Sequence, residues 1–139
     1  MKLFSFLFFY LILVSFGYSQ DFGEISDEEL KLSKCIKEPD ADVIILFDKC
    51  KVKITNDFEL VTFYHKRIKI LTEEGKEYAN IKIKYWREDD ISRLDAICYS
   101  PSGEEYELDS DNIYEEEGEK YYTISFAIPG VEAGSKYKV

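Results

Sequence analysis

Ala79-Asn80-Ile81-Lys82-Ile83-Lys84-Tyr85-Trp86 is the stretch that decides the fold class. Ala79, Ile81, Ile83 and Tyr85 recur at every second position, and Asn80, Lys82, Lys84 and Trp86 fill the positions between. A period of two sends the two sets to opposite sides of a strand, so one face is core and the other is wet. The alternation returns at Tyr122, Ile124, Phe126 and Ile128, set against Tyr121, Thr123, Ser125 and Ala127. Half-buried strands of this kind belong to antiparallel sheets, which can leave one side in water.

Upstream, Phe58 to Leu71 reads as a long strand between the turn signals Asn56-Asp57 and Glu73-Glu74-Gly75-Lys76. Val43 to Phe47 is a continuous apolar run and predicts a short strand buried on both faces. Asp48-Lys49-Cys50-Lys51 then reads as a polar break, with Val52 and Ile54 as the return of a hairpin. Downstream, Leu94 to Tyr99 predicts a short strand before the turn Ser100-Pro101-Ser102-Gly103. A last strand at Lys136 to Val139 follows the turn residues Pro129-Gly130 and Ala133-Gly134. Residues 101–119 hold nine acids and no base, so the expectation there is a solvated, mobile connection. Ser26-Asp27-Glu28-Glu29 is a capping box: the Ser hydroxyl serves an orphan N–H, and the Glu three residues on reaches back. It opens a short helix to about Lys34, with too thin an apolar stripe to form core. No βα repeat occurs. The expected fold is mainly β: an antiparallel β-sandwich or open roll with one short N-terminal helix.

The chain has 139 residues, the length of one domain, and 45% of them are apolar. Pro is 3 and Gly is 7, too few for a disordered chain. The net charge is −10, and all 28 acidic residues follow residue 20. That balance argues against nucleic acid and against anionic lipid as partners. Met1-Lys2, the apolar run Leu3 to Phe16 and the small residues Gly17 and Ser19 form the three-part pattern of an export signal. The run is shorter than the ~20 residues that span a bilayer. The reading is a signal peptide over 1–20, cut near Ser19–Gln20, and a single domain over 21–139. The protein is then exported, to the periplasm or cell envelope, and meets the membrane only through the export signal.

Little catalytic chemistry can be staged. His65 is the only His, and it shares a strand face with Phe63 and Arg67. Cys98 alternates with Leu94 and Ala96 and reads as core. A Cys98–His65 dyad can be drawn, but no spacing supports it. Three cysteines is an odd count for an exported chain; Cys35 and Cys50, at element ends, are the pair that could bridge. No metal motif is present, and no cofactor is expected. Asp109-Ser110-Asp111 opens like a calcium loop, but Ile113, Tyr114 and Lys120 stand where that loop needs its fifth ligand, its Gly and its Glu. Trp86 falls on the polar side of its strand with Lys82 and Lys84, so these three are the candidate contacts for a ligand or partner.

Several segments also occur in the order of a known family. They are Ala41 to Asp48, His65 to Leu71 with Glu74-Gly75, Tyr78-Ala79, and Phe126 to Pro129 with Val131 and Gly134-Ser135. Together with the opening Phe22-Gly23-Glu24-Ile25 they cover most of residues 22–139. The chain resembles the domain of unknown function that precedes a transglutaminase-like domain in exported proteins of Bacteroidetes-type bacteria. The resemblance implies a mostly β module, followed in cis by a domain that carries the Cys–His–Asp triad. It assigns no catalytic residue to this chain. Relatives continue past the Gly-Ser into a longer strand, so the expectation is a longer parent protein. The leading reading is a non-catalytic module with a scaffold or ligand-presenting role. A stand-alone cell-envelope binding module for glycan or peptide is the first alternative, and a Cys-dependent enzyme using Cys98 and His65 is the second.

Overall fold

The computed structural model describes residues 26–139; the expected export signal and its expected cleavage site lie outside the described residues. A five-residue helix, α1 (Asp27–Lys31), precedes eight strands: β1 (Val43–Ile54), β2 (Leu60–Ile70), β3 (Asn80–Trp86), β4 (Ile97–Tyr99), β5 (Glu105–Glu107), β6 (Tyr114–Glu117), β7 (Tyr121–Ala127) and β8 (Lys136–Lys138). They form two antiparallel sheets, one of five strands in the order β1-β2-β8-β4-β5 and one of three in the order β3-β7-β6.

The capping box acts as its sequence predicts: the Ser26 hydroxyl accepts the Glu29 N–H at 3.2 Å. The helix is shorter than the reading to Lys34, and ends at Lys31. The region after Pro39 departs further. Asp48-Lys49-Cys50-Lys51 does not break the strand, because β1 runs through it and pairs with β2 from Val43↔Ile70 to Ile54↔Leu60. A register shift between Ile45 and Phe47 puts one extra residue, Leu46, into β1. Such a bulge exchanges the faces that later residues of the strand present. Val43 to Phe47 is not buried on both sides either, since β1 is the sheet's edge and Ile45 is exposed. The acidic stretch is solvated as expected but is not a structureless connection: it supplies both β5 and β6, whose residues are exposed. Glu74–Ala79 forms a 3-10 helix, so Ala79 enters the core from its end rather than from β3.

The two sheets bury their facing sides. Ile68 and Ile70 of β2, Cys98 of β4 and Tyr137 of β8 meet Ile124 and Phe126 of β7, with Ala79, Ala96 and Ile128 completing the buried cluster. The Tyr137 hydroxyl, in the middle of this layer, donates to the Tyr78 carbonyl at 2.6 Å. Gly130 and Gly134 both take positive φ in the turns before β8, and a Cβ on Gly130 would strike the Tyr106 ring.

Candidate binding faces

The outer side of the three-stranded sheet is set by the β3–β7 register, which pairs Lys82↔Ser125, Lys84↔Thr123 and Trp86↔Tyr121. Partners opposite each other share a face. Lys82, Lys84 and Trp86 therefore stand together on the side away from the core. The indole of Trp86 lies 4.3 Å from the Tyr121 ring, and the Lys84 ammonium sits 4.2 Å from the same ring's centre. Trp86 stays 52% exposed. β6 adds Tyr114 and Glu116 to this face through Tyr114↔Ser125 and Glu116↔Thr123. An aromatic platform flanked by ammonium and hydroxyl groups can stack a sugar ring or peptide side chain and hydrogen-bond its edges.

The five-stranded sheet is larger than its cover. β1 and β2 extend over 12 and 11 residues, roughly 40 Å, against 7 residues in β3 and in β7, roughly 23 Å. Across the hairpin, Val52↔Thr62, Ile54↔Leu60 and Cys50↔Tyr64 continue the side that carries Ile68 and Ile70. Beyond the smaller sheet's reach that side is bare: Ile54 is 70% exposed, Leu60 69% and Tyr64 75%. β8 pairs with β2 from Arg67 to Lys69, extended by one rung where Lys66 and Val139 exchange two backbone hydrogen bonds.

The opposite side of this sheet concentrates positive charge. Arg67 faces Lys138 and Lys69 faces Lys136 across the β2–β8 pair. The bulge in β1 turns Phe47, Lys49, Lys51 and Lys53 to the same side, through Phe47↔Arg67, Lys49↔His65, Lys51↔Phe63 and Lys53↔Val61. Arg67, Lys69, Lys136 and Lys138 are all buried. The α1 helix lies against them. Glu29 accepts from Arg67 Nη1 at 3.3 Å and from Lys136 Nζ at 2.8 Å, and Lys69 Nζ donates to the Leu30 and Gly134 carbonyls. Burial opposes the charge of Glu29, but the hydrogen bond and charge of Lys136, with those of Arg67, outweigh it and hold the carboxyl below its ordinary value. Burial lowers Lys69 and Lys136. It also lowers His65, aided by the charges of Arg67, Lys138 and Lys49.

The same parity separates the drawn dyad. Cys98 faces Tyr137, which faces Ile68, so the thiol is on the core side. His65 alternates with Arg67 and lies on the cationic side, its ring 4.7 Å from Phe47. Cys98 and His65 thus occupy opposite faces of one sheet. Burial pushes the thiol up to about 11, which leaves it neutral at physiological pH. All three cysteines are free: Cys35 and Cys50, the pair that could bridge, are not joined, and Cys50 lies in mid-strand of β1 rather than at an element end. Asp109 caps a 3-10 turn by accepting the Asp111 N–H at 3.0 Å. Among the described residues no group of His, Cys, Asp and Glu could hold a metal.

The alternation placed Lys82, Lys84 and Trp86 on one outward face, as the β3–β7 register does, but the buried cations were missed. Lys136-Tyr137-Lys138 looks like a solvated edge, and no signal within three residues reveals that β8 inserts between β2 and β4.

Residues 56–137 match the model of a family described as a Domain of Unknown Function with solved-structure structure, DUF3857. The match runs from the β1–β2 turn into β8, and α1 and β1 fall outside it. No curated protein and no solved structure matches.

Proposed function

The chain belongs to the DUF3857 family, and from that premise we propose that it is a non-catalytic module of a longer, exported transglutaminase- or protease-like protein, with a scaffold or ligand-presenting role. The observation that carries this reading is the bare part of the sheet's core side. Ile54, Leu60 and Tyr64 lie on one side of a paired hairpin, in line with the buried Ile68 and Ile70, and nothing described covers them. An exposed apolar strip continuous with a core is the signature of a surface that docks against another unit. In this reading the occupant is the transglutaminase-like domain in cis, and any triad belongs there. The opposed placement of Cys98 and His65 supports assigning no chemistry to this chain.

Ile54→Glu with Leu60→Lys tests the docking surface. In the isolated chain the pair of changes should leave the melting temperature within a few degrees, because such surface substitutions alter stability by about 0.5 kcal/mol or less, and should abolish binding of an apolar dye. In the longer protein it should loosen the transglutaminase-like domain, read as faster amide exchange at the contact. Unchanged exchange there would refute the docking role. A second reading, a stand-alone envelope module for glycan or peptide, is favoured by one observation, the exposed Trp86–Tyr121 platform with Lys84 and Lys82 beside it. Trp86 is the only Trp, so its fluorescence reports that face directly. We also propose cleavage near Ser19–Gln20; the intact mass of native protein checks it, and a chain still beginning at Met1 would refute export by this route.

A further inference from the structure

We propose that the buried cationic side of the five-stranded sheet is a binding site for one oxyanion group, a phosphate or a carboxylate, received by the Nε–Nη2 edge of Arg67 together with Lys69 and Lys136. Four cations are stacked as two like-charged cross-strand pairs, Arg67↔Lys138 and Lys69↔Lys136. Like charges placed opposite each other in a sheet repel, and burial strengthens the repulsion. The pairs are retained in a chain with ten more acids than bases, so counter-charge is not scarce in the composition.

One carboxylate, Glu29, is hydrogen-bonded to this cluster among the described residues. It occupies Arg67 Nη1 and Lys136 only. The carboxylates of β5 that share the face, Glu105 and Glu107, lie two strands beyond β8, about 10 Å away.

Arg67 carries the argument. Its side chain is 1% exposed, and its Nε and Nη2 atoms have no hydrogen-bond partner among the described residues. These two N–H groups point the same way from the planar guanidinium. They form the fork that grips a carboxylate or phosphate with two parallel bonds. A structural arginine satisfied by Glu29 would be expected to spend this edge first. Here the edge is kept back while the single Nη1 holds Glu29. Every charged donor on the cluster is a hydrogen-bond donor only, so the ligand must be an acceptor; a metal ion is excluded on charge.

The covering element is short. α1 has five residues and is held on the sheet through Glu29 and the Leu30 carbonyl. Glu29 then acts as an internal placeholder that an incoming oxyanion displaces or joins. This site lies on the reverse of the sheet from the bare apolar strip, so it does not depend on the docking role.

The test uses the whole chain titrated with inorganic phosphate in one arm and citrate in the other, each against sodium chloride at matched ionic strength, by calorimetry and thermal shift. Saturable binding below about 10 mM is expected in at least one arm. Phosphate alone identifies a phosphate group as the ligand, citrate alone identifies a carboxylate, and a response in both arms identifies a site for either oxyanion. Arg67→Lys keeps the charge and loses the fork, and should weaken binding about tenfold or more. Glu29→Gln removes the placeholder and should tighten binding severalfold; it remains decisive if the Arg67 variant does not fold. No saturable response in either arm, equal affinity in Arg67→Lys, or Glu29→Gln binding no tighter than the parent would each overturn the site.

Discussion

Cys98 shows what burial does to a single side chain. Its thiol is fully inside the core, with the Gly130 carbonyl 3.7 Å from Sγ. Cys98→Ala leaves a cavity the size of one sulfur and should cost about 1 kcal/mol in urea denaturation. The thiol's pKa is raised from 9.0 to about 11 by burial, so folding favours its neutral form. Its contribution to stability is therefore complete below pH 9 and is lost as pH rises through 11. Tyr137, raised by burial to about 12, acts in the same direction at higher pH. The alkaline loss of stability should be smaller in Cys98→Ala between pH 9 and 11, and an identical slope would show that the thiol does not titrate from the core. This residue was legible from alternation with Leu94 and Ala96. Arg67, Lys69 and Lys136 were not, because charge normally signals exposure and only the strand order reveals that they are covered.

Strands of regular period were the readable elements. β3 and β7 match their alternation residue for residue, including the outward Trp86. β1 was misread because a polar tetrad in an edge strand looks like a turn: edge positions bear Lys and Asp without losing their ladder. β5 and β6 were hidden by their acids, which an exposed pair of short strands tolerates. The β1–β2 turn supplies a direct test at this scale. Phe58 holds a left-handed backbone, φ 64°, while its ring is 90% exposed. A bulky residue there carries strain of about 1–2 kcal/mol with little packing in return. Phe58→Gly relieves it, at some cost in unfolded-chain entropy. The net should be a gain of about 0.5–1 kcal/mol, read as a higher denaturation midpoint. A lower midpoint would mean that the Phe58 ring contributes packing that outweighs its backbone strain.

The whole molecule sorts what composition averages. A net charge of −10 conceals a sheet with seven Lys and Arg on one side of β1, β2 and β8, while the acids gather on β5, β6 and the loops. Arguments from net charge exclude a uniformly basic protein, not a basic face. Two sheets of unequal length leave an apolar strip, and of the long hairpin only the second arm, Phe58 to Leu71, was legible as one long strand, while the first was split into two short ones. The one imidazole and the one buried thiol are separated by the thickness of a sheet. Acyl transfer by a thiol needs a thiolate, a base within about 3 Å and donors for the oxyanion, and these cannot assemble across a pleat whose two sides diverge. Ammonia release and amine incorporation from a glutamine peptide by purified residues 20–139 is the most direct measurement of that claim. The expected result is turnover at background, unaltered by His65→Ala or Cys98→Ala. Turnover above background that His65→Ala abolishes, with the circular dichroism spectrum and melting temperature unchanged, would contradict it.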